Sequence, residues 1–227
     1  GRLEHRALLP AAVAALCASA TSGALGLEKF EFAVAAPAEW DALLLAKLAV
    51  LGVIFGLVGA AFAFCLRNAK KMAQNWLKNP VLRAFCMGLA ISVVLYALYR
   101  GRYCGLGTNL INVSLSGESI SAWDWALKLA LTVLTLSAGF QGGEVTPLFS
   151  IGASLGAVLA SVFGLPVPLC AALGYAAVFG SASNTLLAPA LIGAEVFGWA
   201  GAPAFLIACA AAYVVNGNRS IYSGQRA

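Results

Sequence analysis

Apolar residues fall in long runs along this chain, and charged residues gather between the runs instead of alternating with them. Ala7 to Leu27 carries no charge and predicts a first helical span. Leu48 to Leu66 is a second uncharged run, long enough to cross a hydrocarbon core, which takes about 20 helical residues. It contains Gly52, Gly56 and Ala60 at four-residue spacing, a small-residue stripe that lets a neighbouring helix come close. Ala84 to Tyr99 is the third run, closed by Arg100 and Arg102. Ala126 to Phe140 is a further span, with Lys128 near enough to its start to snorkel to the interface.

Other stretches depart from that pattern. Cys104 to Leu115 is apolar and bears glycine but is too short to cross, which predicts a re-entrant or partly inserted helix. Glu118 and Asp124 mark an aqueous loop, with Trp123 and Trp125 as interface anchors. From Val145 to Asn218 the one charged residue is Glu195, and Pro147, Gly164 to Pro168, Gly180, Pro189 and Gly201 to Pro203 divide the stretch into short helices. Broken helices at membrane depth are tolerated where they are buried in protein or line a cavity, and they point to a transporter's binding site.

Composition agrees: 61% of residues are hydrophobic and 10% charged, with a mean hydropathy of +0.88. A soluble domain carries about 25% charged residues. The net charge of +5 does not indicate nucleic acid, because Arg67, Lys70, Lys71, Lys78 and Arg83 sit between two apolar runs, and Arg219 and Arg226 close the chain. Both clusters read as the cytoplasmic side of a membrane protein. The six cysteines form no C-x-x-C pair and read as helix-packing thiols, not as a metal site or a disulfide framework. Arg2, Arg6 and Cys17-Ala-Ser-Ala imitate a signal peptide, but the uncharged length to Leu27 favours a true span. The chain begins at Gly1 and is read as a piece of a longer protein.

The segment that carries chemistry is Phe140-Gln-Gly-Gly-Glu-Val-Thr-Pro147. Thr146 is the expected N-cap and Pro147 the first helical residue. Gly142 and Gly143 leave the backbone open, so a helix starting here aims free N–H groups and a partial positive charge into the interior. That is an anion site without a cationic side chain. Glu144 is read as an isolated carboxylate at membrane depth, where ionisable groups are expensive and usually functional; its bland alternative is simple capping. The helix start favours the ionised form and desolvation the protonated one, which suits a proton-coupled carrier.

With these residues in view, the chain resembles the CLC family of anion channels and proton-coupled anion exchangers. Gly142-Gly143-Glu144-Val145-Thr146-Pro147 is similar to the family's anion-site loop, and its Glu and Thr look like the fluoride/proton antiporter branch. Gly174 to Gly180 and Ala188 to Glu195 resemble the family's paired short helices. Ile221-Tyr222-Ser223 is similar to the segment whose tyrosine points its hydroxyl at the central anion. The resemblance implies an all-α integral membrane protein with broken and re-entrant helices. Residues 1–227 would form a single transmembrane domain, the second of two inverted repeats, with the first repeat absent. It implies a homodimer in the lipid bilayer, in the bacterial inner membrane, with fluoride or chloride and a proton as its ligands. Anion binding would fall to Gly142, Gly143, Glu144, Val145 and Tyr222, and coupling and selectivity to Glu144 and Thr146. Fluoride/proton antiport for fluoride export is the expected activity. A chloride channel or chloride/proton exchanger is the alternative within the family, and a transport-inactive membrane scaffold the alternative outside it.

Bland readings stand beside these. Tyr222 also fits an interfacial belt tyrosine. Ser181, Ser183, Asn184 and Thr185 fit either an anion path or capping of the next helix. Glu195 fits a cross-helix or subunit pairing, and His5 a solvated residue. An enzyme is not expected, since no embedded acid beyond Glu144 and Glu195, and no embedded histidine, supplies a convergent set. No cofactor or metal is called for.

Overall fold

In the computed structural model, which describes residues 5–27, 29–37 and 39–222, the first apolar run forms helix α1, His5–Ala24. Arg2, Ser223, Arg226 and the side chain of His5 lie outside the described residues. The chain divides into two units, residues 1–31 with 222–227, and residues 32–221. The second unit carries all the helices that follow.

The run from Leu48 to Leu66 is the middle of a much longer helix, α2, Ala42–Trp76. Asp41 caps its start by accepting a hydrogen bond from the Leu44 N–H at 2.7 Å. The far end overshoots the apolar run because Arg, Lys, Met, Gln and Ala are good helix formers. Helix α3, Pro80–Ala97, begins almost at once, with the Asn79 side chain accepting from the N–H groups of Val81 and Leu82. The basic stretch between the two apolar runs is therefore two helix ends joined through Leu77, Lys78 and Asn79.

The re-entrant expectation at Cys104–Leu115 contracts to a nine-residue helix, α4, Thr108–Ser116, preceded by a turn with Gly105 and Gly107 at positive φ. Then come α5, Asp124–Ala138, and α6, Val145–Phe163. After them lie α7, Val167–Ser183, α8, Leu187–Phe197, and α9, Ala202–Val215. Helices α2, α3 and α6 are long and apolar enough to cross a membrane. Helices α7 (17 residues), α8 (11) and α9 (14) fall short of the length of a full span, as their interrupted sequence implies. Gly180 does not break its helix as expected. It lies inside α7, where an added Cβ would stand 3.1 Å from Pro189 Cγ, and the break falls instead at Asn184, whose φ is 54°.

Helix α7 is the centre of this unit, buried from Leu169 to Ser183 between α6, α2 and α9. Small residues make the packing close. On α2, Gly52 meets Ala208 and Ala211 of α9, and Gly56 meets Ala212 and Val215. Between α6 and α7, Gly152 lies against the Gly174 carbonyl and Gly156 against that of Cys170. Such backbone-to-backbone contact is how helices associate where lipid removes the hydrophobic drive between them. Aromatic rings complete the core: Phe149 stacks on Tyr175 with centroids 3.9 Å apart, and Tyr175 meets Phe197 edge-on at 5.1 Å.

The thiols split. Cys170 and Cys209 are buried as expected, whereas Cys17, Cys65, Cys86 and Cys104 are exposed on their elements. Trp123 is exposed, while Trp125 packs against the core.

Candidate anion site

Helix α5 ends at Ala138, with Gly139 at φ +105° turning the chain out of the helix. Arg83 of α3 fixes this turn. Its Nε donates to the Ala138 carbonyl at 3.3 Å and its Nη1 to that of Leu77 at 3.2 Å. Gln141, Gly142 and Gly143 then cross exposed, and α6 opens two residues earlier than a cap at Thr146 would place it. Glu144 takes the N-cap position with φ −81° and ψ −19°, and its carbonyl accepts the first helical bond, from the Leu148 N–H at 3.1 Å. Thr146 is thus the second helical residue and not the cap. Pro147 is the third, still within the first turn where its missing N–H leaves nothing unpaired.

The side chain of Glu144 makes no capping hydrogen bond. Among the described residues, the backbone N–H groups of Gly142, Gly143, Glu144, Val145 and Thr146 find no protein acceptor. A Cβ built on Gly142 or Gly143 would meet nothing within 4 Å, so neither glycine is required by packing in this chain. The space beside them belongs to a cavity of about 320 Å³ that runs along α5, lined by Gly142, Gly143, Pro147, Thr132, Thr135 and Lys128 among others. Orphan donors, the positive end of α6 and open space thus coincide.

Glu144 is not isolated. Lys70 Nζ stands 3.8 Å from its Oε1, with the two side chains 41% and 25% exposed. Lys70 lies beyond the apolar run that ends at Leu66, and helical continuation of α2 carries it to the mouth of α6.

A second polar cluster was misread in the sequence. Asp124 is the first residue of α5, not part of an aqueous loop, and is 1% exposed. Its carboxylate accepts from Arg102 Nη2 at 2.8 Å, the Tyr103 hydroxyl at 2.6 Å and the Ser121 N–H at 3.0 Å. Lys128 does not snorkel. It is 1% exposed, and its Nζ donates to the carbonyls of Tyr103 at 2.9 Å and Gly105 at 2.7 Å. The hydrogen bond to Asp124 pushes the Arg102 guanidinium above its ordinary value; burial, then the bond to Asp124, pushes the Tyr103 phenol up. The available signal was the Asp124/Lys128 spacing of four on one helix face, with Arg102 and Tyr103 just upstream. This cluster clamps the turn before α4 onto α5.

The hydroxyls near the end of α7 serve packing and turns. Ser181 Oγ donates to the Gly56 carbonyl of α2 at 2.6 Å, and Ser183 Oγ to that of Phe179 at 2.7 Å. Asn184 ends α7 in the left-handed conformation, and its Oδ1 accepts from Asn216 Nδ2 at 3.0 Å. Ile221 N–H donates to the Ala182 carbonyl at 2.9 Å. Tyr222 itself belongs to the first unit, whereas Gly142 to Thr146 lie together in the second. Glu195 is exposed on α8.

These features define an α-helical membrane protein of broken helices with an unpaired helix start opening on a partly open cavity. The sequence profile of the voltage gated chloride channel family matches residues 1–217, and the chain belongs to that family, the CLC proteins. It is 37% identical to a chloride/fluoride channel protein of Pseudomonas syringae pv. tomato, over 100% of this chain and 51% of that one. It is 52% identical to the crystal structure of a CLC-type fluoride/proton antiporter, with a TM-score of 0.96 over 98% of this chain and 56% of that one. An H(+)/Cl(-) exchange transporter ClcA of Citrobacter koseri is 27% identical over 53% of this chain and 26% of its own length. A slow cyanobacterial Cl-/H+ antiporter shares the fold, with a TM-score of 0.63 at 24% identity. The chain spans about half the length of the first two of these relatives (51% and 56%).

Proposed function

We propose that this chain supplies one half of a CLC-type carrier that exchanges fluoride for protons across a bacterial inner membrane, working as a homodimer. The observation that carries the reading is the start of α6, where unpaired N–H groups from Gly142 to Thr146 open on a cavity with a carboxylate, Glu144, beside them. A small anion bound there is held by backbone dipoles alone. Gly142, Gly143, Glu144 and Val145 bind it through their N–H groups, and the Tyr222 hydroxyl adds a further donor. Glu144 accepts and releases the proton, and Thr146 places a hydroxyl two residues on, where it tunes selectivity. The resemblance to a fluoride/proton antiporter and to a chloride/fluoride channel protein supports fluoride over chloride. No step calls for a cofactor or a metal, and the reading makes the protein a carrier and not an enzyme.

The test is ion efflux from proteoliposomes, read with fluoride and chloride electrodes and a pH probe together. Fluoride efflux far above chloride, with protons moving the other way, is the expected result. Comparable chloride movement would replace fluoride/proton antiport with the chloride channel or exchanger reading.

A further inference from the structure

Lys70 stands out among the basic residues at the end of α2. Leu66, Ala69 and Ala73 lie four, one and three residues from it, all on the inward face of the helix: Leu66 is 2% and Ala73 6% exposed, and Ala69 packs on the core. Lys70 shares that face and is half-buried, whereas Arg67 and Lys71 are exposed. Its stem therefore runs along the protein and delivers the ammonium to Glu144.

A carboxylate at the N-cap would ordinarily turn back onto its own helix, accepting from the first free N–H groups and lying against the positive end of the dipole. Glu144 does not. Its carboxylate is drawn the other way, toward Lys70 at 3.8 Å. That distance exceeds direct hydrogen-bond range, so the contact is one of charge.

We propose that Lys70 is a positioning residue that holds the Glu144 carboxylate off the start of α6, so that the Val145 and Thr146 N–H groups stay open to an external anion instead of being capped by the chain's own carboxylate. The inference rests on the reading of this helix start as the anion site and adds the device that keeps it vacant. The other cations nearby are engaged elsewhere: Arg83 of α3 on the carbonyls of Leu77 and Ala138, Lys128 of α5 on those of Tyr103 and Gly105. Helix α4 carries no titratable side chain, and those of α7 are Cys170 and Tyr175. Among the described residues, Lys70 is the cation paired with Glu144.

Two measurements on the purified protein test this, and the first needs no anion. In Lys70→Met the carboxylate falls back onto the helix, so amide hydrogen exchange across Val145 and Thr146 slows at least about threefold. Lys70→Arg keeps the wild-type rate, and the slowing is absent from Lys70→Met combined with Glu144→Gln. The second is equilibrium fluoride binding, in which Lys70→Met lowers affinity by at least about threefold in the wild-type background and not in the Glu144→Gln background. Exchange unchanged in Lys70→Met would overturn the proposal, as would an affinity loss of equal size in both backgrounds. If the wild type binds no fluoride, the anion reading of the site fails, and the exchange measurement still decides whether Lys70 keeps Glu144 from capping.

Discussion

Gly152 and Gly142 are both glycines of the α6 region, yet the structure assigns them opposite roles, and alanine at each separates packing from function. A Cβ on Gly152 would collide with the backbone carbonyl of Gly174 and stand 3.0 Å from the Tyr175 nitrogen. Carbon contacts settle near 3.5–4 Å, so α7 must retreat by about 1 Å or more, and it is backbone that must move. Overpacking costs about 1–3 kcal/mol, and because backbone must move the upper part of that range applies, about 2–3 kcal/mol, offset by about 1 kcal/mol from alanine's better helix propensity. The expected net loss is about 1–2 kcal/mol, or about 2–8 °C in melting temperature for a chain of this size. Gly142 has open space within 4 Å and no left-handed φ. Gly142→Ala should therefore melt within about 1 °C of wild type, as a substitution away from packed surfaces does. It should still lower fluoride flux, because the methyl group occupies the space an anion needs. Thermal melting in detergent and fluoride efflux from liposomes, run on both variants, give the comparison. Wild-type melting in Gly152→Ala would refute the close-packing argument; equal destabilisation by Gly142→Ala would refute the claim that this glycine is free of packing.

Three further outcomes follow from particular contacts. Glu144→Gln should impair proton-coupled fluoride movement while leaving melting unchanged, as read by simultaneous fluoride and pH electrodes. Tyr222→Phe removes one donor and should alter anion affinity or throughput more than stability; a flux assay showing neither change would favour an interfacial role. Asp124→Asn weakens the bonds from Arg102, Tyr103 and the Ser121 N–H to a buried carboxylate, and should cost about 2–3 kcal/mol, seen as a lower melting temperature.

The helices and their order were legible because hydrophobic runs and Gly/Pro breaks are read directly from sequence, although α5, at 15 residues, falls short of the span expected from Ala126 to Phe140. So was the stripe at Gly52 and Gly56, which meets α9 as a small-residue face should. The misreadings share one cause. Charged residues were assigned to water by their chemistry, but in the structure their partners are distant in sequence. Asp124 is buried because Arg102 and Tyr103 reach it from the turn before α4, and Lys128 because two carbonyls of that same turn face it. The pairing of Lys70 with Glu144 was not legible because the apolar run stops at Leu66, while the helix continues to Trp76. The α6 opening was legible as a motif, but its cap was displaced by two residues, since Glu144 adopts helical angles that no local rule favours over Thr146.

The contact between α6 and α7 has a mechanical consequence. Where Gly152 meets Gly174 and Gly156 meets Cys170, no side chains lie between the two backbones to act as bearings. Helix α6 cannot rock without dragging α7, and α7 is wedged along most of its length among α2 and α9. The end of α6 that faces the cavity is in effect bolted to the frame. Any movement at the mouth of α6 then falls to side chains, around a post that stays still.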